Sequence, residues 1–361
     1  MNYTARLNKL QKHLQTANCD LLIIEEVTNL FYMTGIELSA GKLLVDAHGA
    51  CLFVDSRYYE TCQKLSPFSV ELFEGNVIQD WICERQFRKT LGFDSSVTPY
   101  NRFLELKKIC VGLKKHLGGT SVKLTPLQAP LKMIRCIKDA EEIALLKNAA
   151  DLGSEGFDFL CNTLNPGITE LELAVELEIF WKRKGSKALG FDPIIAFGAN
   201  GSMPHYRPGK TRLQNGDSVL FDIGVNVRHY FSDMTRVVYF GSPRDEIPKI
   251  YDIVREAQRR ALKLCKPGTL VKELDQAARG YITKNGYGQN FTHNLGHGVG
   301  LEIHEAPSLS QKSVDKNMPL EEGMVITIEP GIYLPDIGGV RLEDTVVITV
   351  NGYENLTNRP V

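Results

Sequence analysis

The sequence predicts an α+β protein in which an α/β domain with a mixed sheet precedes a larger domain of helix pairs and antiparallel strands. Three observations support this prediction. Short buried-strand patterns alternate with amphipathic helical patterns up to about residue 125. After that point the order becomes helix, helix, strands, and this order occurs twice. A chain of 361 residues is also long enough to bury two separate hydrophobic cores.

The elements of the first domain alternate from the start. TARLNKLQKHLQT has helical periodicity, and CDLLIIEE has the composition of a short buried strand. KLLVDAHGACLFVD contains two apolar runs around a polar turn, which predicts paired strands, and SRYYETCQKL predicts the next helix. VELFEG, VIQDWICERQFRKT and LGFD continue the alternation. This order predicts a layered domain over residues 1–128.

A proline-containing segment, TPLQAPLKMIRCIKD, changes the character of the sequence and leads into a long helix, so we place the boundary near residue 128 and assign residues 129–361 to the second domain. Asp139 and Glu142 have the spacing of a helix cap followed by an acidic first turn, and Thr169 has the position of a second cap. Two further helical segments, IPKIYDIVREAQRRALKL and LVKELDQAARGYITKNG, precede the strands MVITIEP and EDTVVITV. Two helix pairs, each associated with strands, indicate an internal duplication.

Charge and composition exclude several classes of partner. The net charge is −1 with no polybasic run, so we expect neither nucleic acid nor an anionic membrane as a partner. No window is apolar enough to span a bilayer, and the first residues lack the apolar core of a signal peptide. The eight cysteines occur singly, without a CxxC pair, which is typical of free thiols in a reducing compartment. We therefore expect a cytoplasmic enzyme.

The stretch SVLFDIGVNVRHYFSDMTRVVYF has the pattern of a hairpin with one aspartate in each strand. A two-residue turn at Val227–Arg228 would place Asp222 directly opposite Asp233 on one face of the sheet. His229 falls in this turn, where a structural or surface role is expected. Two unpaired carboxylates that face each other in a half-buried sheet would be costly.

A second hairpin, MVITIEPGIYLPDIGGVRLEDTVVITV, repeats the arrangement with glutamates. A loop centred on Asp336 would place Glu329 opposite Glu343. The alternative is that all four acids lie on solvated faces, which is the usual position of a carboxylate. Two independent pairs among strand-forming apolar residues weaken that alternative. Facing like charges need a cation between them, so the hairpins predict a site for divalent metal.

A glycine-rich stretch between the hairpins, THNLGHGVGLEIHEAP, contains His293, His297 and His304. A lone histidine is more often structural than a ligand, but three between two acid-bearing hairpins favour a ligand among them. A ligand set of carboxylates with one imidazole is typical of sites for Mn²⁺ or Co²⁺, whereas the other common type, a zinc site, is often rich in cysteine. Four carboxylates can offset two divalent ions, so we predict two ions, Mn²⁺ first, with Co²⁺ or Zn²⁺ as the other candidates.

The motifs FDIG, GHGVGLEIHE, EPGIY and GGVRLED resemble those of the pita-bread metallopeptidases, which include methionine aminopeptidase, aminopeptidase P and prolidase. The resemblance covers nearly the whole chain, and the first domain is similar to the accessory domain of the two proline-specific members. It implies a pita-bread catalytic domain, a homo-oligomer (dimer or tetramer) and peptide substrates that begin Xaa-Pro. Asn294 departs from the family pattern, which more often has a small residue or tyrosine there.

The resemblance also implies roles for individual residues. Asp222 would bind one metal ion, Asp233 and Glu343 would bridge both, and His297 and Glu329 would complete the second set of ligands. The other residues that the resemblance assigns to catalysis or its support are His205 facing the substrate, His293 and His304 flanking the scissile bond, Glu329 as acid and base, and Arg341 beside the metal-binding carboxylates. Tyr333 matches a tyrosine close to the site, although core packing is the alternative.

The resemblance implies an Xaa-Pro aminopeptidase that uses a water activated by two metal ions. The close alternative is prolidase, an Xaa-Pro dipeptidase, which must recognise the free carboxylate of its substrate. Some short prolidases of this kind carry an arginine where this chain has Ser308, which favours the aminopeptidase. A non-catalytic binding module and a metal-free hydrolase such as creatinase share the fold. The complete set of candidate ligands argues against both.

Overall fold

A computed structural model of the chain describes residues 1–85, 89–117 and 119–360 and divides into two compact units, Met1–Arg135 and Cys136–Val361. Residues 86–88 of the segment VIQDWICERQFRKT lie outside the described residues, as does the last residue of the second domain.

The division between the units falls after Arg135, later than the boundary that we predicted at residue 128. Two hydrogen bonds explain why the intervening segment belongs to the first unit. The Arg135 guanidinium donates to Asn29 Oδ1 at 3.0 Å, and the Tyr32 hydroxyl donates to the carbonyl of Ile134 at 3.3 Å. The proline-containing segment therefore belongs to the first unit as far as Arg135.

The first unit contains a mixed six-stranded sheet in the order β4-β3-β2-β1-β5-β6, which confirms the predicted α/β layer. Its strands are β1 (Leu21–Ile24), β2 (Lys42–Asp46), β3 (Gly49–Val54), β4 (Ser69–Leu72), β5 (Thr90–Asp94) and β6 (Lys123–Leu127). Its helices are α1 (Tyr3–Thr16), α2 (Val27–Thr34), α3 (Ser56–Leu65), α4 (Val77–Glu84) and α5 (Tyr100–His116), and α6 (Lys132–Cys136) follows at the division. All four residues of β1 are buried because the strand is paired on both sides.

The long helices of the second unit are α7 (Ala140–Thr163), α8 (Glu170–Arg183), α9 (Glu246–Leu262) and α10 (Val271–Lys284). The predicted starts of α7 and α8 are confirmed. The Asp139 carboxylate accepts the Glu142 N–H at 2.9 Å, and the Glu142 carboxylate accepts the Asp139 N–H at 3.0 Å. Thr169 and Glu172 form the same reciprocal cap on α8. These caps satisfy backbone donors that a helix start otherwise leaves unpaired.

The strands of the second unit form small antiparallel sheets. They are β7 (Ala188–Leu189), β8 (Ile194–Phe197), β9 (Asp217–Ile223), β10 (Val225–Val227), β11 (Tyr230–Phe231), β12 (Met234–Phe240), β13 (Gly296–Gly298), β14 (Glu305–Leu309), β15 (Val325–Ile328), β16 (Gly331–Leu334), β17 (Gly338–Arg341), β18 (Asp344–Thr349) and β19 (Gly352–Asn355). Helices α7 and α8 share one core with β8 and β9, whereas α9 and α10 share another with β15 and β18. Each acid-bearing hairpin is therefore backed by its own helix pair.

All eight cysteines are free thiols, as the sequence predicts. Across the part of the chain that the structure describes, the helices lack the combined length and apolarity that crossing a membrane requires.

Candidate metal centre

The late hairpin, β15 to β18, has the predicted register. Ile328 pairs with Asp344, and on the other side of the two glutamates Gly331 pairs with Arg341. The same register on both sides places Glu329 opposite Glu343, so the prediction for this hairpin is confirmed. Both carboxylates project from the break between the two ladders.

The first hairpin, β9 to β12, differs from its prediction. The turn residues are Arg228–His229, both with positive φ (49° and 74°), rather than Val227–Arg228. Asp222 consequently pairs with Thr235 and lies diagonal to Asp233 instead of directly opposite it. A shift of two residues keeps every side chain on its predicted face, which is why both aspartates still reach one site.

Three side chains meet closely at the centre of the site. Asp233, His297 and Glu343 each offer a potential ligand atom, and these atoms lie within 4.8 Å of one another. His297 Nε2 is 3.6 Å from Asp233 Oδ2 and 3.4 Å from Glu329 Oε1. Asp222 and Glu329 line the same cavity, whose volume is about 590 Å³.

The electrostatics of these residues fit divalent cations. Burial, reinforced by neighbouring carboxylates, raises the pKa of Asp233 and of Glu329 well above the ordinary range and raises the pKa of Glu343 to about 8. Burial lowers the pKa of His297 to about 4, which leaves a neutral imidazole able to act as a ligand. Asp222 Oδ1 is buried and accepts no hydrogen bond from any described residue. Bound cations would relieve the repulsion and satisfy that oxygen.

Arg341 links the two hairpins. Its Nη2 donates to Asp222 Oδ2 at 2.5 Å, its Nη1 donates to the Tyr333 hydroxyl at 2.7 Å, and its Nε donates to Thr235 Oγ1 at 3.2 Å. The Thr235 hydroxyl in turn donates to Glu343 Oε2 at 2.7 Å. Sequence reasoning missed Thr235, which the correct register of the first hairpin would have identified as the residue opposite Asp222.

His293 is held by the protein at both ring nitrogens. Its Nδ1 lies 2.8 Å from the carbonyl of Asn294, which can only accept, so Nδ1 carries the proton. Burial, and then the charge of Arg341, lowers the pKa of His293 to about 3, so Nε2 is a bare acceptor for the Tyr333 hydroxyl at 2.8 Å. Both ring nitrogens therefore have a partner within the protein, and the predicted place of His293 beside the scissile bond stays a prediction.

The remaining predicted histidines face the cavity. The His304 ring lies edge-on to the His297 ring with centroids 4.3 Å apart, and burial lowers the pKa of His304. His205 is exposed at the cavity wall. The cavity brings together every residue that the sequence analysis assigned to catalysis or metal binding: His205, Asp222, Asp233, His293, His297, His304, Glu329, Arg341 and Glu343. The buried Tyr333 lies behind that wall, in contact with His293.

A buried acid missed by the sequence analysis supports the loop that carries His205. Glu170, the first residue of α8, is 0% exposed. Its carboxylate accepts four hydrogen bonds, and the donors are the N–H of Phe197 (2.8 Å), Asn200 Nδ2 (2.9 Å), the Tyr206 hydroxyl (2.7 Å) and the N–H of Gly209 (3.0 Å). All four donors belong to the segment 197–209. Nothing in the sequence distinguishes Glu170 from an ordinary exposed acid in a first helical turn.

Comparisons with known proteins identify the family of each unit. Residues 144–350 match metallopeptidase family M24, and residues 6–137 match the creatinase/prolidase N-terminal domain. An Xaa-Pro dipeptidase of Pyrococcus horikoshii is 37% identical over 353 residues, covering 98% of this chain and 96% of the relative.

Two solved structures are similar over almost their whole length. An Xaa-Pro dipeptidase from Bacillus anthracis superposes with a TM-score of 0.91 at 33% identity, covering 99% of this chain and 98% of that chain. An X-Pro aminopeptidase from Thermotoga maritima superposes with a TM-score of 0.85 at 32% identity, covering 97% and 98%. The chain therefore belongs to metallopeptidase family M24, with the pita-bread fold in its second unit and a creatinase/prolidase N-terminal domain in its first.

Proposed function

We propose that this metallopeptidase is an Xaa-Pro dipeptidase that hydrolyses the bond between an N-terminal residue and a C-terminal proline. The observation that carries the proposal is the convergence of the carboxylates and His297 in one cavity, with the pKa values of three acids raised. The names of the P. horikoshii and B. anthracis proteins favour the dipeptidase over the aminopeptidase that we preferred from Ser308. The earlier preference is revised accordingly.

Two divalent ions, with Mn²⁺ the first choice, would be held by Asp222, Asp233, His297, Glu329 and Glu343. Asp222 has one oxygen engaged by Arg341 and the other without a partner among the described residues, which fits a ligand held in place from one side. The bound ions would supply a water whose pKa is lowered to about 7.

The protein residues then manage the proton and the substrate carbonyl. Glu329 lines the cavity, with Oε1 3.4 Å from His297 Nε2, and would accept a proton from the attacking water and deliver it to the departing proline nitrogen. His304 lies on the cavity wall and would donate a hydrogen bond to the carbonyl oxygen as it gains charge. Proline's nitrogen has no N–H before cleavage, so the site must recognise the carbonyl and the chain ends instead. His293 would act indirectly: it orients the Tyr333 hydroxyl, which in turn positions Arg341.

The second candidate is the Xaa-Pro aminopeptidase, which accepts longer peptides. Two observations favour it: Ser308 is uncharged, and the T. maritima X-Pro aminopeptidase is similar over 97% of this chain. The predicted dimer or tetramer remains a prediction, which light scattering would test.

The deciding experiment supplies the purified full chain with Mn²⁺, Co²⁺ or Zn²⁺ in turn and measures cleavage of an Xaa-Pro dipeptide and an Xaa-Pro-Xaa tripeptide. We expect the dipeptide to have the higher kcat/KM. Equal or faster cleavage of the tripeptide would establish the aminopeptidase instead. Cleavage of neither peptide with any of the three metals would reject proline-specific hydrolysis.

A further inference from the structure

We infer that Arg207 binds the terminal carboxylate of the dipeptide. The inference rests on the proposed dipeptidase function and assigns the part of the site that recognises where the substrate chain ends. A dipeptidase needs a cationic group at that point, because a free carboxylate is the feature that separates a dipeptide from a longer peptide.

The charges that line the cavity point to Arg207. Among the described residues of the lining, the guanidinium groups belong to Arg207 and Arg341. Arg341 is 3% exposed, and its nitrogens are already engaged by Asp222, Tyr333 and Thr235. The Arg207 side chain is 70% exposed, and its partner is the equally exposed Asp192 at 2.6 Å. A substrate carboxylate can therefore reach Arg207 without displacing a buried contact.

Two other positions of the cavity lining, where the sequence departs from the family pattern, carry no charge that could replace Arg207. Asn294 Nδ2 donates to Ser308 Oγ at 3.1 Å, and both residues line the cavity. Asn294 and Ser308 thus form a neutral pair. Binding of the substrate's terminal carboxylate, for which an arginine at position 308 would be suited, is therefore assigned to Arg207.

The backbone that carries Arg207 is firmly held. Tyr206 and Gly209, on either side of it, both donate to the buried carboxylate of Glu170. Arg341 Nη1 donates to the carbonyl of Pro204 at 3.4 Å. The guanidinium can therefore adjust to a ligand while its attachment point keeps a fixed distance from the metal-binding carboxylates.

The chemistry of the contact explains how it would select for length. A guanidinium can engage a carboxylate through two parallel hydrogen bonds, which combine charge with directional fit. One added residue moves the terminal carboxylate outward by about 3.5 Å, beyond such a pairing. Because Arg207 is exposed, the contact should also weaken with added salt.

The test compares Arg207→Gln with wild type on an Xaa-Pro dipeptide and on the same dipeptide with a C-terminal amide, using the full chain loaded with Mn²⁺. We expect kcat/KM for the dipeptide to fall about 10- to 100-fold, mainly through KM, because a hydrogen-bonded charge pair is lost. The amide should change less than about 2-fold. Arg207→Lys should retain part of the preference for the dipeptide, since charge remains without the two-pronged geometry.

The matched control is Lys210→Gln, an exposed cation just beyond the same segment that does not line the cavity. It should leave both substrates unaffected. Equal losses on dipeptide and amide in Arg207→Gln, or a wild type that does not distinguish them, would overturn the inference while leaving Xaa-Pro hydrolysis standing. A wild type that cleaves neither would overturn the proposed function and this inference with it.

Discussion

The two acid-bearing hairpins differ in how their charges are balanced, and each depends on the other. Asp222 of the first hairpin is paired with Arg341 of the late hairpin. The Glu343 carboxylate of the late hairpin accepts a hydrogen bond from the hydroxyl of Thr235 in the first hairpin. The N–H of Glu343 donates to the Thr235 carbonyl at 3.1 Å. The strand register of each hairpin determines where its acids lie. Hydrogen-bond partners from the other hairpin then fix Asp222 and Glu343 in position. The site is thus a property of the two hairpins together.

The largest effect is expected from the late hairpin. Glu329→Gln keeps the shape of the side chain but removes the proton acceptor, so kcat should fall by about 10²- to 10⁴-fold. The fold should remain, because glutamine matches glutamate in size and places no charge in this buried position. Steady-state kinetics and thermal unfolding would measure both. The control is Glu322→Gln, an exposed acid of the same unit. Near-wild-type turnover in Glu329→Gln would reject its assigned role.

Breaking the link between the hairpins should affect stability most. Arg341→Met leaves the Asp222 carboxylate buried without its cation, at a cost of about 3–5 kcal/mol. Chemical denaturation of the metal-free chain would measure the loss. The double variant with Asp222→Asn should recover part of it, because the unpaired charge is then absent. A single-variant loss below about 1 kcal/mol would show that the Asp222–Arg341 pair does not couple the two hairpins.

The pH dependence of the metal-free chain should reveal the repulsion between the acids. Glu343, whose pKa rises from 4.5 to about 8, keeps a proton in the folded state that the unfolded chain releases, so its stabilising contribution is lost as pH rises through about 8. His293 and His297, with pKa values lowered from 6.5 to about 3 and about 4, act in the opposite sense, but only below about pH 6.5.

The interval from about pH 6.5 to 8 therefore isolates the carboxylates. Tm of the metal-free chain should fall across it, and Mn²⁺ should remove the fall. Glu343→Gln should reduce the fall in the metal-free chain, with Asp233 and Glu329 accounting for the remainder. A metal-free Tm that rises over this interval would contradict the arrangement.

The smallest effect should come from the two hairpin loops. Arg228 has φ of 49° and Asp336 has φ of 62°, both in the left-handed region. Arg228→Gly should stabilise by about 0.5 kcal/mol, because the relief of backbone strain exceeds the added freedom of the unfolded chain. Asp336→Gly should gain less, since aspartate tolerates this conformation better. Denaturation midpoints would compare them, and an equal or larger gain at Asp336 would contradict the comparison.

The difference between the loops also explains what the sequence could predict. The late register followed from a loop centred on Asp336, and the helix starts at Asp139 and Thr169 followed from side-chain spacing. The first turn was misplaced by one residue because Arg228–His229 lacks the glycine or asparagine that marks a turn with positive φ. The site survived this error because side-chain facing depends only on parity.

Other features depended on contacts that no local pattern encodes. Thr235 became visible only once the register was known. The proton on His293 Nδ1 follows from one carbonyl of the neighbouring residue, and the role of Glu170 follows from four donors that are distant from it in the chain.

The sealed carboxylate of Glu170 has a practical consequence for protein engineering. Residues 197–209 could be replaced by the equivalent segment of an enzyme that cleaves peptides of another length. The amide and hydroxyl donors of the new segment would then have to bond to the Glu170 carboxylate at the start of α8. We expect such a chimera to fold and to be active only when the new segment has hydrogen-bond donors in matching positions. Otherwise the residue equivalent to Glu170 must be transferred with the segment. Glu170 and residues 197–209 should therefore be exchanged together as one unit.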